Sequence, residues 1–192
     1  MRSARVDSRL RVLTRDGWLL CLTRSTRLFA YGALSVVLVF YLTSLGLSTS
    51  QTGLLLTLTL VGDTVVSLYL TTRADRIGRR RMLIIGAILM AAAGLAFAST
   101  RNFVFLVAAG TIGVISPSGN EVGPFLSIEQ AALSHVVPDR TRTAVFAWYT
   151  LAGSFATAAG SLAGGTLSHL LQQTAMAPLE SYRVVVLLYA VL

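Results

Sequence analysis

The feature that most restricts this chain is the layout of its apolar residues. They run in blocks of about 18 to 20, the length that crosses a hydrocarbon core, and short polar stretches separate the blocks. A greasy globular protein would instead spread its apolar residues at helical or strand period. Composition agrees with the layout: of 192 residues, 54% are hydrophobic and 12% charged, too little polar material to clothe a soluble surface. The chain therefore reads as an all-α integral membrane protein.

The blocks predict helices over 28–47, 53–72, 82–99, 103–137, 143–167 and 184–192, forming one transmembrane domain over 28–192 behind a basic tail at 1–27. The fourth is broken at 116–124, where Pro117, Gly119, Gly123 and Pro124 interrupt any continuous helix. Past the break, Phe125, Ile128, Ala132 and Val136 return at helical spacing. The last block is nine residues, about 14 Å of helix, so it is expected to be a truncated sixth span. The tail holds Asp7 and Asp16 and leads into a full apolar block with no small-residue cleavage site, which argues against a removed signal.

The formal charge is +8, carried by sixteen arginines without a single lysine. In a soluble protein that balance suggests nucleic acid, but here the arginines flank the apolar blocks and form no basic face interleaved with aromatics, so no nucleic-acid partner is expected. Fourteen of the sixteen fall on one side of the predicted topology: the tail with Arg24 and Arg27, the stretch 73–81, and Arg140 with Arg142. Only Arg101 and Arg183 fall on the other. Positive charge collects on the cytoplasmic face, so a multi-pass protein of the cell membrane with a cytoplasmic amino terminus is expected, Arg24 and Arg27 snorkelling toward headgroups and Trp18 at the interface.

The most charged segment carries a motif. Asp75-Arg76-Ile77-Gly78-Arg79-Arg80-Arg81, placed between the second and third helices, resembles the major facilitator signature Gly-x-Leu-Ala-Asp-Arg-x-Gly-Arg-Arg/Lys, with Thr71 and Arg73 standing where that pattern has Gly and Leu. A glycine permits the tight turn, an aspartate at a helix end accepts charge-assisted hydrogen bonds, and arginines grip carboxylates and anionic lipid. The resemblance implies an amino-terminal half of a major facilitator transporter, a bundle of about six helices in two three-helix repeats. It also implies a gating motif made of Asp75, Arg76, Gly78, Arg79 and Arg80, with Arg140 and Arg142 in the same cytoplasmic latch. Gly160-Ser161-Leu162-Ala163-Gly164-Gly165 is similar to the antiporter signature except that serine replaces proline, and Leu106 stands where the helix-four arginine is usual. Both departures point away from a typical drug/proton antiporter.

Gly153, Gly160, Gly164 and Gly165, with Thr157, form a small-residue stripe suited to helix packing, against the missing carboxy-terminal half or within this one. Asp63 is the most informative single residue, since a carboxylate near mid-bilayer is costly and persists where it faces a cavity or a partner. It is expected to couple transport to a proton or cation gradient, or to bind a polar substrate; the alternative is a structural acid hydrogen-bonded to Ser or Thr of neighbouring helices. Asn120, Glu121 and Glu129 are the second set of cavity candidates, because broken helices expose polar groups where a transport path needs them. Equally open is that the region projects from the membrane and Glu129 pairs with Arg79, Arg140 or Arg142. Tyr31, Tyr41, Trp148 and Tyr149 line a cavity or pack.

The lone Cys21 makes no internal disulfide, and neither it, His135 nor His169 has the spacing of a metal site or a catalytic triad. Without a nucleophile-base constellation or a phosphate-cradling loop, no enzyme, no cofactor and no ATP-driven pump is expected. The partners expected are the lipid bilayer, a small-molecule substrate, and a carboxy-terminal half or a second copy. A non-transporting scaffold or regulatory half-protein is the rival reading.

Overall fold

The computed structural model describes residues 15–113, 115, 117, 119 and 124–192. Most of the expected tail, residues 1–14, lies outside them, as do Asn120 and Glu121. The described residues form seven helices: α1 (Arg15–Ser44), α2 (Thr49–Ile77), α3 (Arg79–Ser99), α4 (Phe103–Ile112), α5 (Pro124–Val136), α6 (Asp139–Gln173) and α7 (Pro178–Val191). Among the described residues, three segments are long and apolar enough to cross a membrane: Gly17–Ser44, Thr49–Ala74 and Arg79–Ser99. α6 is longer still at 35 residues, but its many Gly, Ser and Thr dilute its hydropathy.

Local chemistry sets the ends. Ser48 caps α2 through a capping box, its side chain accepting from the Gln51 N–H while the Gln51 side chain accepts from the Ser48 N–H. Asn102 Oδ1 accepts from the Val104 N–H at 2.9 Å to open α4, and Pro178 occupies the first turn of α7. Gly78 alone separates α2 from α3, at φ +104°, a conformation that side chains avoid. The first helix starts at Arg15 and the last at Pro178, both upstream of the apolar blocks expected from the sequence.

The bundle is organised about α1, which packs against α6 most extensively and also against α7, while α2 pairs with α4 and α3 with α7. The α1–α6 seam is backbone against backbone. A Cβ on Gly160 would collide with the Phe29 carbonyl, one on Gly32 with the Thr157 carbonyl, and one on Gly164 would lie 2.6 Å from the Ala33 carbonyl oxygen. Ser161 Oγ donates to the Gly32 carbonyl at 3.1 Å across the same seam. The partner of the glycine stripe is thus α1 of this chain. Phe29 meets Gly160 and Ala33 meets Gly164, so the contacts ascend together and the two helices run parallel. A second close approach joins α2 to α4, where a Cβ on Gly62 would strike the Thr111 backbone.

Around α1, the side chains of Tyr31, Leu34, Leu38 and Tyr41 pack with Phe97 of α3, Leu106 of α4 and Tyr189 of α7. Tyr41 Oη donates to the Phe97 carbonyl at 2.7 Å. Large apolar side chains are left outward on α2 and α3, among them Val65, Leu68, Ile84 and Ile88, as lipid-facing helices require.

The seam predicts a contrast between neighbouring glycines. Gly160→Ala forces its methyl into main chain and is expected to cost about 1–3 kcal/mol, whereas the Cβ of Gly165→Ala meets only Val36 Cγ1 at 3.8 Å and is expected to leave stability unchanged or slightly raised. Unfolding midpoints of the two variants in detergent check this; equal midpoints would remove the seam from the account.

Candidate functional site

The arginine-rich motif folds as one tight corner. Asp75 and Arg76 lie in the last turn of α2, Gly78 makes the turn, and Arg79, Arg80 and Arg81 open α3. Beneath it Leu70, Ala74, Met82 and Ile128 form a small apolar cluster, fastening the corner to α5. Arg76, Arg80 and Arg81 are exposed, Arg79 is half-buried, and Arg73 stacks 5.3 Å over the Tyr69 ring. The side chain of Asp75 lies outside what the structure describes. At the α5–α6 corner, Arg142 pairs with Asp139 at 2.7 Å and donates to the Ser134 carbonyl at 3.0 Å, while Arg140 is exposed.

Glu129 belongs to neither corner. It is fully buried on α5, where Arg27 of α1 pairs with it at 2.9 Å and Tyr149 Oη of α6 donates to it at 2.6 Å. Arg27 also stacks 4.1 Å over the Phe125 ring, and Arg24 lies 4.1 Å over the ring of Tyr149. The partner of Glu129 is therefore Arg27, not Arg79, Arg140 or Arg142. Arg24 and Arg27 do not snorkel: only 7% and 8% exposed, they turn inward, because a carboxylate and two aromatic faces await them there. The signal for this was present in Trp18-Leu19-Leu20-Cys21-Leu22, an apolar run that starts the helix upstream of both arginines. Tyr31 and Tyr149 are buried too, whereas Trp148 is half-exposed.

Asp63 occupies the middle of α2, equally far from Thr49 and Ile77, about 21 Å of helix from each. It is 0% exposed, and neither carboxylate oxygen has a hydrogen-bond partner among the described residues. Two hydroxyls near it along its own helix are committed to main chain: Thr59 donates to the Leu55 carbonyl and Thr64 to the Leu60 carbonyl. Tyr189 of α7 lies within electrostatic reach, and its buried hydroxyl is likewise without a hydrogen-bond partner. Tyr31 stacks near it, ring centroids 5.9 Å apart. Among the described residues, α2 and α7 thus each bring to this region a buried polar group without a hydrogen-bond partner. His135 is exposed and His169 Nε2 contacts Gln173 Nε2 at 3.1 Å.

The buried pair predicts strong coupling in stability. Glu129→Ala leaves a buried guanidinium without its carboxylate and is expected to cost about 3–5 kcal/mol, much of it recovered when Arg27→Leu is added. A double-mutant cycle by unfolding in mixed micelles measures it, and additive losses would mean that the two do not interact.

Comparison with known proteins places these features. The chain is 40% identical over 179 residues to the uncharacterized membrane protein YJR124C of Saccharomyces cerevisiae, an alignment that takes in 92% of this chain and 40% of that protein. The chain thus spans about two-fifths of the length of that relative. The pattern of the Major Facilitator Superfamily matches residues 20–192, from within the first turns of α1 through α7. Motif, helical architecture and match agree, and the chain belongs to the Major Facilitator Superfamily.

Proposed function

We propose that this chain is the amino-terminal half of a secondary transporter that moves a small solute across the cell membrane by alternating access. α4 and α5 are then two pieces of one interrupted crossing, which gives six spans in two three-helix repeats. The parallel course of α1 and α6 supports that count, since a first and a fifth span run the same way and a first and a sixth do not. The amino terminus and both arginine-rich corners face the cytoplasm, as the distribution of positive charge favours. The corner of Asp75, Arg76, Gly78, Arg79 and Arg80 acts as the gate, with Arg140 and Arg142 beside it. A second six-helix half, or a second copy, completes the solute path.

The observation that carries this reading is Asp63. A fully buried carboxylate at mid-span with no hydrogen-bond partner among the described residues costs several kcal/mol. The structural alternative requires a Ser or Thr bonded to it, and none among the described residues is. Asp63 takes up the coupling proton or cation, or a polar group of the solute. Glu129 is assigned to the internal ion pair; Asn120 and Glu121 remain candidates for the cavity.

The test is counterflow in proteoliposomes holding the full-length protein, run across sugars, amino acids, organic anions and drugs. Asp63→Asn is expected to lower the rate of the active substrate at least about tenfold with expression and unfolding midpoint unchanged; a fully active variant would remove Asp63 from the mechanism. Tags in 73–81 and 100–102 are expected to report opposite compartments, and a shared compartment would overturn the topology.

A further inference from the structure

Next to the Arg27–Glu129 pair is a polar feature that the transporter reading leaves unused. A cavity of about 440 Å³ opens between α1 and α6, and Arg24 forms part of its wall together with Thr150, Ser154 and Thr157. These three hydroxyl residues recur along one stripe of α6, two of them at the exposed surface of this bundle. Arg24 comes off the buried helix α1 and meets them from the opposite wall.

The position of Arg24 is built. Its guanidinium carbon lies over the Tyr149 ring, 4.1 Å from the centroid, and the hydroxyl of that tyrosine is held by Glu129 at 2.6 Å, which fixes the platform. Gly153 supplies the clearance: a Cβ there would sit 3.2 Å from Arg24 Nε and 2.6 Å from Leu28 Cδ1. A guanidinium carries five N–H donors in a planar fork, enough to keep a protein contact and still take both oxygens of an oxyanion. Ser154 Oγ donates to the Thr150 carbonyl at 3.2 Å and Thr157 Oγ1 to the Gly153 carbonyl at 3.1 Å, so each turns lone pairs outward and accepts from an O–H or N–H on the same ligand. A guanidinium on one wall and acceptors on the other suit a molecule that carries a negative end and hydrogen-bond donors.

The geometry points to Arg24, with the Thr150, Ser154 and Thr157 stripe, as the subsite that holds the oxyanion group, carboxylate or phosphate, of the solute. This deepens the transporter reading and rests on it for the ligand being cargo; binding itself does not depend on transport. The same chemistry is offered by an anionic lipid headgroup, so the experiment separates the two sources.

Full-length protein in phosphatidylcholine nanodiscs is titrated with succinate and with inorganic phosphate, following the unfolding midpoint and tryptophan fluorescence, to which Trp148 beside Tyr149 contributes. A second set of nanodiscs contains phosphatidylglycerol and no soluble anion. The expected result is a saturable rise in midpoint with at least one soluble anion in the wild type and in R140Q, and a loss of affinity of at least about tenfold in R24Q. T157V keeps Arg24 in place and is expected to weaken binding a few-fold, which keeps the test decisive where R24Q does not fold. An equal response of R24Q and wild type, an unchanged affinity in T157V, or no response to either anion overturns the subsite. So does an Arg24-dependent response confined to phosphatidylglycerol, which makes the ligand a lipid. A protein that binds the anion through Arg24 yet transports nothing in counterflow sinks the transporter reading and leaves the binding subsite standing.

Discussion

Backbone contact between α1 and α6 is the constraint from which the rest of the bundle is arranged. In lipid there is no hydrophobic force to drive one apolar helix onto another, so association depends on close packing and on polar contacts made at short range. Gly32 and Gly160 permit both, because each lets the opposing carbonyl approach to a distance that any side chain would block. Weak Cα–H···O contacts along such a seam add about 0.5–1 kcal/mol each, and the Ser161 hydroxyl adds an ordinary hydrogen bond. The register of the seam then fixes what stands opposite the arginines: with Phe29 on Gly160 and Leu28 beside Gly153, Arg24 and Arg27 meet Tyr149 and the carboxylate of α5.

α1 is therefore unlike the other helices. Tyr31, Leu34, Leu38 and Tyr41 are buried on one face, and Ala30, Ala33 and Val37 on another, which leaves only a narrow stripe for lipid. A cation on such a helix cannot reach the headgroups without first crossing protein. Its charge has to be met where it lies, and Glu129, Phe125 and Tyr149 meet it. Removing the carboxylate alone would leave a buried charge, a larger penalty than the pair itself contributes in stability, so the pair is best read as fixing the register of α1, α5 and α6.

This explains which parts of the molecule were legible in the sequence. Block length is a property of each helix by itself, so the long apolar helices α2 and α3 and the turn at Gly78 could be read directly from residues. The direction of a side chain depends on neighbours far along the chain. Arg27 lies 102 positions from Glu129, and a count of arginines near the ends of apolar blocks treats every helix as a cylinder in lipid. The glycine stripe was legible as a packing surface, yet its partner was not, because several helices with small residues were available and only the fold selects Gly32 among them. Tyr189 carried no sequence signal at all; it matters only because α7 brings it toward Asp63.

The two buried acids show how the same residue type serves different ends. Glu129 has a guanidinium and a phenol, and its neighbourhood is closed, with a charge at each end of the interaction accounted for. Asp63 has neither among the described residues, although threonines stand along its own helix. A protein that gained only stability from position 63 would do better with leucine or alanine, since an apolar side chain there carries no desolvation penalty. In the proposed transporter, an acid that is expensive where it stands, and that no described residue satisfies, is matched to something that arrives and leaves. The alternating access proposed above would supply such a visitor, and it requires that the satisfied state be temporary, for an acid bound permanently to a neighbouring residue could not release its proton, cation or solute on the far side.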